Sequence, residues 1–103
     1  MTASDGFKRI EQLVKRGCEN VVVCNGSHCY AIEYGGVKCN SSHLFALEKE
    51  LRTEAGQLCA EYKTASTVAL KVVSMPIISD MLVMSIIRQD KTIVINVKER
   101  SDG

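Results

Sequence analysis

This sequence predicts an α+β fold of order α-β-β-α-β-β-β: a three-layer sandwich with helices over both faces of a mainly antiparallel five-stranded sheet. Two segments carry apolar residues at helical spacing, and five carry β-branched or alternating apolar runs. Between the first two of those runs lies Asn25-Gly26, the strongest short hairpin signal, because a tight hairpin turn needs positive φ.

Phe7, Ile10, Leu13 and Val14 fall on one helical face, with Ser4 placed to cap the start and Gly17 the end, so a first helix is expected over residues 5–16. The run Val21-Val22-Val23-Cys24 is apolar on both faces, as in a buried strand. Its return strand is expected over 28–34, ended by Gly35-Gly36. Asn40, Ser41 and Ser42 offer caps for a long helix over 43–62, whose stripe is Leu44, Leu47, Leu51, Ala55, Leu58 and Tyr62. A strand is expected over 67–74, with Val68, Leu70 and Val72 on one face and Pro76 ending it. Residues 81–88 and 92–98 read as a final hairpin joined around Gln89-Asp90-Lys91. A helix over 77–88 is the weaker alternative, since Val83, Ile86 and Ile87 are β-branched and flanked by turn residues.

The lengths carry a further expectation. A helix of about 12 residues spans roughly 18 Å, at about 1.5 Å per residue. Five strands at about 4.8 Å make a sheet roughly 24 Å wide, so the first helix leaves its face half covered.

At 103 residues the chain is expected to be a single domain, 1–103, with an ordered core of about 5–98. Hydrophobic residues make up 46% and charged residues 24%, a globular balance. A formal charge of +1 gives no basic footprint, so no nucleic-acid partner is expected. The small cluster Lys8, Arg9, Lys15 and Arg16 has a simpler reading, because cations at a helix C-terminus suit its dipole. Phe7 to Val14 is too interrupted for a secretory core, and the apolar stretch Met81 to Ile87 is far below the roughly 20 residues of a membrane span. No membrane insertion is therefore expected. Five cysteines without an export signal point to a reducing compartment, hence a cytoplasmic location.

Chemistry-bearing clusters are sparse. Cys24, His28 and Cys29 surround the first turn, but one Cys-x4-Cys without a second ligand pair does not make a zinc site. With Asn25-Gly26 as the two loop residues, Cys24 would face Ser27 and Cys29 would face Val22, so buried structural cysteines are expected, with thiol or metal chemistry at Cys24, His28 and Cys29, a disulfide or redox switch included, as the weaker alternative. His28 and its neighbour Cys29 point to opposite faces of a strand, and His43 stands near a helix start that disfavours a cation. Neither is a convincing base. The glycine pairs lack the Lys and Ser/Thr of a phosphate loop, and Tyr30, Tyr34 and Tyr62 are too scattered for base stacking. No catalytic residue, metal or cofactor is expected.

From Phe7 to Val97 this order resembles the roadblock (LC7-type) dynein light chain family. The resemblance is carried by Phe7-Lys8-Arg9-Ile10, Gly17 and Val21-Val22-Val23-Cys24-Asn25. It continues through the long helix 43–62, Val68-Ala69-Leu70-Lys71-Val72 and Thr92-Ile93-Val94-Ile95-Asn96-Val97. These are fold patterns rather than signature motifs. The cysteines and the loop Ser74-Met75-Pro76-Ile77-Ile78 depart from the family. The short stretch after the last strand, where GTPase-associated relatives carry a third helix, favours the dynein branch.

The resemblance implies a roadblock/longin-like domain that pairs with itself or a similar roadblock chain through strand three and helix two. Leu51, Ala55, Leu58, Tyr62, Val68, Leu70 and Val72 would form that interface. It further implies a non-catalytic dynein subunit, cytoskeleton-associated in the cytoplasm or a ciliary axoneme. This subunit would grip the motor's intermediate chain beside Ile10 and Val14. A scaffold or regulator of small GTPases, as in Ragulator-like complexes, is the alternative.

Overall fold

The computed structural model describes residues 3–33, 36–39, 51, 53, 69 and 71–99. The first helix, α1, runs Ala3–Lys15, with Asp5 in its first turn and Lys15 in its last, both favourable to the helix dipole. It therefore starts before Ser4, which is not its cap. Ile10 and Leu13 are fully buried, and Phe7 and Val14 pack beside them. Its end is a Schellman motif: Gly17 N–H donates to Val14 (3.0 Å) and Cys18 N–H to Leu13 (3.3 Å). Gly17 has the left-handed φ of 91° that this closure requires, and Cys18 folds back into the same core as Leu13.

The strands are β1 (Asn20–Asn25), β2 (His28–Glu33), β3 (Gly36–Cys39), β4 (Met81–Gln89) and β5 (Thr92–Glu99), with one helical turn, α2 (Pro76–Ser79), before β4. They form a mixed sheet of order β3-β2-β1-β5-β4. Neighbours pair antiparallel except β1 and β5, which run parallel with Val21 beside Ile93 and Val23 beside Ile95. Both Glu19 N–H (2.7 Å) and Asn20 N–H (3.1 Å) donate to the Lys91 carbonyl, tying the entry of β1 to the β4–β5 turn.

Three sequence expectations are corrected. The strand expected over 67–74 is absent at its described positions, because Ala69 and 71–73 are helical. Ala69, Val72 and Val73 are all buried while Lys71 and Ser74 are exposed, an i, i+3, i+4 stripe that tertiary packing favours over the β-propensity of the valines. Pro76 then opens α2, where its missing N–H costs nothing. In place of that strand, residues placed by the sequence after a strand end form β3 against β2.

The second correction concerns the first hairpin. Its loop is Gly26-Ser27, with Asn25 opposite His28 and Cys24 opposite Cys29. Gly26 alone in the loop has positive φ, 64°, as in a turn with glycine in the first loop position. The third concerns the layers. The sheet residues in the core cluster (Val21, Val23, Tyr30, Ile32, Ile86, Ile93, Ile95 and Val97) all project from one face. The buried residues of α1, Ala69, Val72, Val73 and α2 join that cluster, and so does Leu51, expected to cover the opposite face. The rest of the helix expected over 43–62 lies outside the described residues.

Gly17→Ala leaves its new methyl in open space but forces an L-residue into left-handed φ. The expected loss is about 1–2 kcal/mol, read as a lower denaturant midpoint at unchanged slope. Val72→Ala is expected to cost about 2 kcal/mol because the side chain is fully buried. An exposed strand position would lose far less.

Candidate interaction surface

Among the described residues β4 is the last strand of the sheet, paired with β5 alone. From Met81 to Ile87 it carries no charged residue, and Arg88 is its first. Sheet edges are ordinarily guarded by lysine, proline or a covering element, because their unpaired backbone groups accept any added strand. One guard comes from α1: Arg9 Nε donates to the Ile86 carbonyl at 3.1 Å, a charge-assisted bond that clamps the helix to the edge strand.

The side chains of β4 are divided by a bulge. Val83 lies opposite Val97 and Ser85 opposite Asn96, which leaves Met84 without a partner. The extra residue shifts the alternation, so that Val83 and Ile86 both face the core although three positions apart. Leu82, Met84 and Ile87 are thereby left at 39%, 51% and 45% exposure, large apolar side chains in contact with water. Ile87 lies beside Val94 and Leu82 beside Lys98, on the sheet face away from the core. On that same face Ser85 accepts a hydrogen bond from Asn96 Nδ2 at 2.9 Å. The next residues in this row are Cys24, beside Asn96, and Cys29.

The residues expected from sequence fall elsewhere. Ile10 is fully buried inside the protomer, and Val14 is half-buried at the border of the core. Leu51 and Val72 are also fully buried, so neither presents a side chain for a second subunit. Ala55, Leu58, Tyr62, Val68 and Leu70 lie outside the described residues. The sequence reading missed Leu82, Met84 and Ile87, although the uncharged run Met81 to Ile87 was visible. What it lacked was the knowledge that this strand lies at an edge.

Nothing else among the described residues converges as a catalytic centre. Cys24 and Cys29 form a disulfide, which removes both as thiolate ligands or nucleophiles in this state. No three His, Cys, Asp or Glu side chains cluster as a metal site among the described residues. A shallow, open depression of about 310 Å³ between α1 and the segment before α2 is lined by Phe7, Glu11, Lys71 and Ser74. It is too open to exclude water. Among the described residues no helix is long and apolar enough to cross a membrane.

No protein-family model, curated protein or solved structure matches this chain.

Proposed function

We propose that this chain is a non-catalytic, dimeric adaptor of roadblock type: a light chain that binds the intermediate chain of a dynein motor in the cytoplasm. The observation that carries the adaptor role is the exposure of three large apolar side chains, Leu82, Met84 and Ile87, on β4. The dynein assignment rests on the family resemblance at the two ends of the chain, since the strand expected over 67–74 is absent at its described positions. Supporting that resemblance are an opening α1-β1-β2 and a closing β4-β5 hairpin at the expected places.

The two-fold contact is reassigned from the expected strand 67–73 to β4. A second copy suits this edge. Antiparallel self-pairing about Ser85, counted past the bulge at Met84, places Ile87 of each copy beside Leu82 of the other and Arg88 beside Met81. The two guanidinium groups then stand about six residues apart, roughly 20 Å at about 3.3 Å per residue, well beyond the screening length. Leu82, Met84 and Ile87 of both copies merge into one buried strip. Such an isologous contact closes on itself instead of growing into a filament. The intermediate chain then binds across the dimer, with Val14 on the rim of its contact.

Sedimentation of the full chain is expected to show dimers at about 100 µM, an affinity reachable by weak interfaces. The double substitution Leu82→Glu, Ile87→Glu is expected to weaken dimerisation at least about tenfold by burying unpaired charge, with the far-UV circular dichroism retained. A stable monomer at that concentration rejects the dimer. Titration with an intermediate-chain segment tests the motor role, and saturable binding of a small GTPase in its place would favour the scaffold alternative.

A further inference from the structure

We propose that Cys24 and Cys29 form a reversible thiol–disulfide exchange site for glutathione-type thiols. The two residues face each other across β1 and β2 with Cα atoms 4.1 Å apart and only five positions apart in sequence. Four flanking pairs hold this register, and β5 pins the other side of β1. The backbone therefore brings the two sulfurs together whether or not they are bonded, which favours oxidation by proximity. A cross-link closing so short a loop restricts the unfolded chain least, so the fold has little need of it. The core cluster lies on the opposite sheet face and contains neither residue. Reduction thus leaves the packed side of the protein intact.

Access is unequal in a useful way. Cys29 is half-buried next to the exposed loop residues Gly26 and Ser27, while Cys24 is buried at 9% exposure. An incoming thiolate attacks Sγ of Cys29; the S–S bond breaks, and its electron pair leaves on Sγ of Cys24, which takes up a proton. A second thiol then resolves the mixed disulfide. The cystine gains two electrons and two protons, and two thiols become one small-molecule disulfide. Cys18, by contrast, is a free thiol inside the core without such access. If the compartment is reducing, as the sequence suggests, cysteine pairs that oxidise there are usually of this cycling kind. The assignment does not depend on the adaptor role.

The test equilibrates the full chain in buffers of varied reduced and oxidised glutathione, then quenches, alkylates and maps each cysteine by mass spectrometry, with circular dichroism on the same samples. Cys24 and Cys29 are expected to titrate together, from about a tenth to about nine-tenths reduced over a roughly hundredfold change in [GSH]²/[GSSG], with the fold retained. Cys29→Ser is expected to abolish the transition and leave the spectrum unchanged. A pair that stays reduced in excess oxidised glutathione overturns the proposal. So does one that resists reduction until the chain unfolds, or a Cys24 that bonds to a different cysteine.

Discussion

Val21 against Ile93 and Val23 against Ile95 join the beginning and the end of the chain in parallel at the centre of the sheet. A parallel pair cannot be closed by a tight turn, so the whole intervening chain must cross over before β5 can lie beside β1. The double acceptance by the Lys91 carbonyl fixes where that alignment starts. Once it is set, β2 and β3 can only add beyond β1, and β4 only beyond β5. The placement of β3 and β4 at the two ends of the described sheet follows from this one contact.

The same register decides which face becomes the core. Val21, Val23, Ile93 and Ile95 point together, and α1, Ala69, Val72, Val73 and α2 gather on that side. Among the described residues the core cluster lies on one face, and the exposure of the other is uneven. At the centre of that second face Val94 and Cys24 are nonetheless buried, whereas Ile87 and Leu82 at the edge stay in water. Among the described residues the large exposed apolar side chains all lie on β4, where a single added strand would do most to cover them. The bulge at Met84 sharpens this by sending a third large side chain outward.

Register also governs the first hairpin. Moving the loop from Asn25-Gly26 to Gly26-Ser27 is a shift of one residue, yet it changes every facing pair and brings Cys24 opposite Cys29. Both dipeptides are good turn formers, with glycine in different loop positions, so local propensity alone could not choose. The pairing of β1 with both of its neighbours makes the choice. Two cysteines without partners in the sequence reading become a cystine at the end of a rigid ladder.

By itself the sequence determined α1 and its glycine stop, the β1–β2 and β4–β5 hairpins, and the absence of charge from Met81 to Ile87, since each is written in spacing and turn residues within a few positions. Only the tertiary structure decided that Ala69, Val72 and Val73 form a helical stripe, that β3 exists, and that β4 is an edge. Those outcomes turn on which surfaces are already occupied when a segment docks. A short run of valines packs equally well as strand or helix until a neighbouring element presents the groove that it must fill.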